Sequence, residues 1–235
     1  MPGENVSVVL VHGAWADGSS WAKVIVPLAA EGVEVIAAPL PLTSFAEDTA
    51  AVERTLERAS GPVVLVGHAY AGAVIAAARS EKVKALVYIA ALAPEEGETV
   101  ADVFYRNKPH PQAPKLAPDR HGLIYLPHEA FAAAFAQNAS ADQLALLFAV
   151  QRPLSPACIT VPVSRPLWKD RPSWFLIAGA GPHDRPRHAT LYGGADARAG
   201  AGASCRPCAD GYRAWPGRRH HTRGHRGSAQ RLITL

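Results

Sequence analysis

The sequence predicts an α/β architecture in which a parallel β-sheet is covered by helices on both faces. Three observations point to it. Short, continuous apolar runs end in glycine or in a turn, helix-spaced apolar stretches lie between them, and the two alternate at the pitch of strand-helix-strand units. A chain of 235 residues with 49% apolar content suffices for one well-packed core and is short for two.

The elements follow in chain order. Val6 to Val11 is an apolar run interrupted only by Ser7, which suits a strand buried on both faces better than a one-faced antiparallel one. Trp21, Val24, Ile25 and Leu28 then recur at helical spacing behind the potential caps Asp17, Ser19 and Ser20. Gly32 to Ile36 reads as a second strand, Phe45 to Arg58 as a second helix and Pro62 to Val66 as a third strand. Ala73 to Arg79 reads as a helix and Ala85 to Ala91 as a further strand. From Pro94 to Arg171 the pattern changes to proline-punctuated loops around two Ala-rich helical stretches, Glu129 to Gln137 and Ala141 to Val150. Ser173 to Ala178 returns to strand character. The expected organisation is therefore a core over residues 1–180, an insertion over about 94–172, and a separate tail over 181–235.

Charge sets the tail apart. Residues 1–180 hold 14 Lys+Arg against 17 Asp+Glu, net −3, and residues 181–235 hold 10 against 3, net +7, which together give the +4 of the whole chain. All ten basic residues of the tail are Arg. The apolar runs are strand-sized and the first five residues resemble no export signal, so a soluble cytoplasmic protein without a membrane span is expected. Cys158, Cys205 and Cys208 make an odd count that argues against a disulfide framework.

In a parallel α/β sheet, ligands bind at the carboxyl ends of the strands. Two loops there carry signals. Val63-Val64-Leu65-Val66-Gly67-His68-Ala69-Tyr70-Ala71-Gly72 reads as strand, tight small-residue turn and helix, the context of a Gly-x-Ser-x-Gly nucleophile elbow. Val9-Leu10-Val11-His12-Gly13-Ala14-Trp15 reads as a strand followed by a His-Gly turn. On these motifs the chain resembles the α/β-hydrolase superfamily, and within it the compact esterase-like branch that includes plant methyl-esterases and hydroxynitrile lyases. The resemblance covers residues 6–180. It implies hydrolysis of an ester or related acyl compound by a Ser-His-Asp triad without a cofactor or metal, with the amides of Ala14 and Tyr70 forming an oxyanion hole and His12, Gly13, Trp15 and His68 lining the pocket.

The departures bear on chemistry. Ala69 occupies the serine position, and a methyl group can neither be deprotonated nor carry an acyl group. Ala71 also replaces the second glycine of the motif. A substitution made to disable a nucleophile would leave that glycine alone, so the pair of changes favours natural loss. The two amides could still bind an anion or a carbonyl, and a His-Asp pair could act as a non-covalent base if one exists.

The resemblance places the acid just after the last strand above and the histidine one strand later. From Gly181 onward, however, Arg, Gly, Ala, Pro and His dominate, Lys and Phe are absent, and no apolar run remains for a final strand and helix. Reading one nucleotide forward permits aspartate at Gly181-Pro182 and Asp-His-Ala-Pro-Met across Arg206-Pro207-Cys208-Ala209-Asp210. A frameshift near codon 180 would thus have removed the acid, the histidine and the terminal helix together.

A rival reading of the tail is a zinc finger, because Cys205, Cys208, His221 and His225 satisfy its spacing. Against it, Pro216 and Gly217 interrupt the segment that should enter the helix, and no strand pair precedes Cys205. The sequence thus favours no metal, argues against a nucleic-acid partner despite the basic tail, and gives no oligomeric state. Its expected ligand is a small ester or carbonyl compound bound by an impaired hydrolase.

Among the remaining candidates, His12 and His68 fit structural histidines satisfied by backbone groups better than they fit bases. Trp15, Tyr70 and Phe104 suit an acyl pocket and the core equally. His110, His121 and His128 read as loop residues, Glu95, Glu96 and Glu98 as a charged surface loop, and Cys158 as a packed thiol.

Overall fold

The computed structural model describes residues 6–106 and 113–176. Five strands form one sheet in the order β2-β1-β3-β4-β5, with every neighbouring pair parallel. They are β1 (Ser7–Val11), β2 (Glu34–Ala38), β3 (Val63–His68), β4 (Val83–Ile89) and β5 (Ser173–Leu176). Alternate residues serve opposite faces, as the two-residue period of a strand requires. Val9, Val11, Leu65, Leu86 and Tyr88 pack beneath α2 (Phe45–Arg58) and α3 (Ala71–Ala76). Val8, Leu10, Val64, Val66 and Val87 pack on the other face with Trp21 and with Leu28 of α1 (Ala22–Ala30).

Several boundaries differ from the sequence reading by a few residues, β3, α3 and β4 at both ends among them, and two of the differences have a local cause. The second strand begins two residues later than predicted because Gly32 and Val33 still belong to the end of α1. Gly32 has φ +79°, its N–H donates to the Ala29 carbonyl, and the Val33 N–H donates to the Leu28 carbonyl. Those two bonds around a left-handed glycine make a Schellman stop. The third helix starts at Ala71 rather than Ala73, directly against the turn after β3. Gly72 permits that approach, since a Cβ on it would lie 2.3 Å from the Leu92 carbonyl oxygen.

The segment between β4 and β5, here called the cap, carries α4 (Val100–Phe104), α5 (His128–Phe135) and α6 (Ala141–Ala149). The sequence reading anticipated α5 and α6 and missed α4, whose start is fixed by a Thr99/Asp102 capping box. An antiparallel bridge joins Ile124 to Leu154, and the Ser155 N–H donates to the Leu42 carbonyl, tying the cap to the loop after β2. Among the described residues, no helix is long and apolar enough to cross a membrane and no cluster suits a metal ion. The tail over 181–235, with Cys205, Cys208, His221 and His225, lies outside the described residues, as does His110.

Candidate functional site

The carboxyl ends of β1 and β3 meet as their loop signals predicted. Ala69 sits between β3 and α3 with φ +50°, a left-handed conformation that alanine adopts only at a cost. Its neighbours hold it there. The Ala69 N–H donates to the Ile89 carbonyl (3.3 Å), and the Leu92 N–H donates to the Ala69 carbonyl (2.9 Å). Across from it stands Gly13, where a Cβ would come within 3.1 Å of the Ala69 methyl and 3.2 Å of the His68 ring. Any larger residue at position 13 would push the two loops apart.

His12 is fully buried and does not line the cavity, which corrects its placement in the pocket wall. Its Nε2 accepts from the Leu40 N–H at 3.1 Å, so the ring proton resides on Nδ1, which donates to the Gly13 carbonyl at 2.9 Å. Burial lowers its pKa from 6.5 to about 4. The ring is neutral at pH 7 and pins the turn after β1 to the loop after β2. Gly13 likewise stands behind the wall, where its role is to let Ala69 approach.

Ala14, Trp15, His68, Ala69 and Tyr70 line a cavity of about 120 Å³, and Phe135, Leu154 and Ile159 close it from the cap side. Trp15 has φ +58° and donates its indole N–H to the Ile124 carbonyl at 2.9 Å, which fastens the core loop to the cap. His68 is half-buried, with the Trp21 ring edge-on at 6.3 Å. Phe104 also faces the cavity. Among the described residues, no Asp, Glu, Lys or Arg lines it, and no backbone carbonyl accepts from the N–H of Ala14 or Tyr70. The wall is therefore apolar, with two uncommitted donors where the loops converge.

The histidines of the cap lie elsewhere. His128 packs edge-on against Phe148 at 4.6 Å, and His121 accepts from the Arg120 guanidinium on the surface.

Sequence reasoning missed the polar group behind this wall. Asp48 is fully buried on α2; its Oδ1 accepts from the Leu42 N–H and its Oδ2 from the Tyr70 hydroxyl, both at 2.7 Å. The buried Cys158 thiol belongs to the same core and interacts electrostatically with both side chains. Burial raises the Asp48 carboxyl above the usual range, against the lowering pull of Tyr70 and the Leu42 amide. Burial, then the charge of Asp48, raises the Tyr70 phenol, and burial pushes the Cys158 thiol up to about 12. Buried and with its pKa raised, the thiol stays protonated at neutral pH and packs as a small apolar group. A signal existed in the sequence: Asp48, Ala51, Val52 and Thr55 fall on one helical stripe and are all buried, and a carboxylate on an apolar stripe demands partners.

The sequence matches the Alpha/beta hydrolase family over residues 8–228. No curated protein matches the chain. Solved structures similar to it include a serine-to-alanine variant of the pyrethroid hydrolase PytH, at 20% identity and TM-score 0.63, covering 79% of this chain and 81% of that one. Polyneuridine aldehyde esterase is similar at 19% identity and TM-score 0.60, covering 73% and 79%. A variant of tomato methylketone synthase I complexed with beta-ketoheptanoate is similar at 18% identity and TM-score 0.63, covering 80% and 83%. At these identities the likeness is one of fold.

Proposed function

The chain belongs to the alpha/beta hydrolase family, and from that premise we propose that it binds small uncharged ester or carbonyl compounds without covalent turnover at residue 69. The observation that carries this reading is the placement of Ala69: a methyl group at the tight turn after β3, opposite Gly13 and beside two amides that have no acceptor among the described residues. A carbonyl oxygen directed at the Ala14 and Tyr70 N–H groups would gain about 0.5–1.5 kcal/mol from each bond. The apolar wall favours the rest of a neutral ligand. A cavity of about 120 Å³ is a little smaller than the ~150 Å³ that accommodates benzene, which limits the enclosed part to about six heavy atoms.

Ala69 supports the absence of acyl transfer because it lacks the attacking atom. The tail is a second line of support, drawn from composition alone. The family match runs to residue 228, yet in this reading the chain from Gly181 onward is translated one nucleotide out of frame, which removed the acid and the histidine; resequencing across codons 175–210 tests that step directly. The odd cysteine count agrees with a reducing, cytoplasmic setting.

The experiment is ester hydrolysis by purified protein and by an Ala69→Ser variant. Neither should hydrolyse short nitrophenyl esters faster than buffer, while cyclohexanone should produce saturable shifts of the Ala14 and Tyr70 amide signals. A burst of nitrophenol from the serine variant would establish a working histidine and acid and overturn the reading. One zinc per chain held by Cys205 and Cys208 would overturn the frameshift.

A further inference from the structure

The cavity has two walls. The core supplies one through the turn at His68–Tyr70, and the cap supplies the other through the segment that carries Leu154 and Ile159. The loop after β2 lies between them without facing the cavity, and its Leu40 and Leu42 are each bonded through both backbone groups. The Leu40 N–H donates to His12 and the Leu40 carbonyl accepts from Arg152; the Leu42 N–H donates to Asp48 and the Leu42 carbonyl accepts from Ser155. Leu42 itself is left-handed at φ +60°.

One side chain ties the three parts together. Asp48 holds Leu42 through Oδ1 and Tyr70 of the turn through Oδ2, and the Leu42 carbonyl in turn accepts from the Ser155 N–H of the cap. We infer that Asp48 is a positioning residue that fixes the turn at Ala69–Tyr70 against the cap, so that the Tyr70 amide and the Leu154–Ile159 wall face each other at a set distance. The inference rests on the reading of the cavity as the functional site, and it assigns Asp48 no contact with ligand. A buried carboxylate with two donors can be abandoned by neither of them cheaply, because each departure leaves a charge under-solvated. The two walls therefore open together or not at all.

Backbone hydrogen exchange on the ligand-free chain tests this without relying on binding. The Leu92 amide, bonded to the Ala69 carbonyl, reports the turn, and the Ser155 amide, bonded to the Leu42 carbonyl, reports the cap. The Leu65 and Val66 amides of the central strand report global opening. In Asp48→Ala, Leu92 and Ser155 should exchange about tenfold faster, with Leu65 and Val66 changed much less, since local opening separates from global unfolding. Asp48→Asn retains an acceptor for Leu42 and a polar partner for Tyr70, and should restore both reporters to within about threefold of the parent chain. Should Asp48→Ala fail to fold, Tyr70→Phe removes one arm alone and should accelerate Leu92 with Leu65 unchanged.

Parent rates at Leu92 and Ser155 in the variants, or acceleration of Leu65 by the same factor as the two reporters, would overturn the inference. Cyclohexanone provides the separate functional arm: its C=O stretch in the bound state should lose part of its red shift in Tyr70→Phe. Failure of the parent chain to bind cyclohexanone would refute the carbonyl-binding reading, and the exchange rates would still decide the role of Asp48.

Discussion

Replacing Ala69 with glycine should stabilise the protein slightly, although it removes a methyl group next to the core. At φ +50° the Cβ of Ala69 crowds its own backbone, a cost of about 1–2 kcal/mol that glycine does not incur. Against that gain, glycine adds about 0.4–1 kcal/mol of conformational entropy to the unfolded chain. Ala69 is only half-buried, so the lost methyl contact contributes little. The net expectation is a gain of about 0.5 kcal/mol, or a rise in Tm of about 1–2 °C for a domain of this size. Ala73 provides the control, because it is helical and fully buried. Ala73→Gly should lose about 1 kcal/mol of helix propensity and about 0.8 kcal/mol for the buried methyl. Urea denaturation followed by tryptophan fluorescence should therefore separate the two variants by about 2 kcal/mol. Equal destabilisation of both would refute the assignment of a left-handed turn at position 69.

Other perturbations probe the surroundings of the site. His12 takes up a proton at pH 6.5 when unfolded but refuses it until about pH 4 when folded. Its contribution is therefore present above pH 6.5 and is lost progressively as the pH falls toward 4; about 2 kcal/mol should disappear between pH 7 and 4.5, and a His12→Gln variant should show a flatter denaturation profile over that range. Gly72→Ala places a Cβ 2.3 Å from the Leu92 carbonyl oxygen and 2.8 Å from the Ala91 methyl, so a loss of about 3 kcal/mol is expected, and a melting temperature within 2 °C of the parent would contradict the close approach. The Tyr88 hydroxyl is buried with no hydrogen-bond partner among the described residues, so Tyr88→Phe should raise stability by up to about 1 kcal/mol in the same denaturation assay.

The sheet was legible because burial on both faces writes it directly into composition. The run Val8-Val9-Leu10-Val11 has no polar residue to leave outside, and all four residues are buried. The second helix was legible to the residue because Ser44 caps it and its apolar stripe is regular. Strand ends were less so: β3 continues through Gly67 and His68 because parallel pairing with Tyr88 and Ile89 of β4 extends it, and local composition carries no trace of a partner's register. The turn at Ala69 was recognisable from small residues between a strand and a helix. The Asp48, Tyr70 and Cys158 group was not, since its members are separated by 22 and 88 positions and meet only through the fold. The short α4 was missed because five residues give too little periodicity, although Thr99 and Asp102 stood at capping-box spacing.

Left-handed backbone at residues other than glycine gathers around this cavity. Of the four such residues among those described, Trp15, Ala69 and Ala90 line it, and Leu42 lies behind its wall. Each costs on the order of 1–2 kcal/mol and persists only when surrounding bonds over-determine it. Those bonds are present in each case: Trp15 donates to the Ile124 carbonyl, Leu42 is held by Asp48 and Ser155, Ala69 by Ile89 and Leu92, and Ala90 donates to the Leu176 carbonyl. None of them involves a side chain at position 69. Exchange of a serine for alanine there removes the oxygen needed for attack but leaves every restraint that aims the two amides. Alanine has a Cβ, as serine does, so it relieves none of the strain either. The geometry proposed to receive a carbonyl oxygen is thus a property of the backbone and its supports, and it is independent of the atom whose absence rules out acyl transfer at this position.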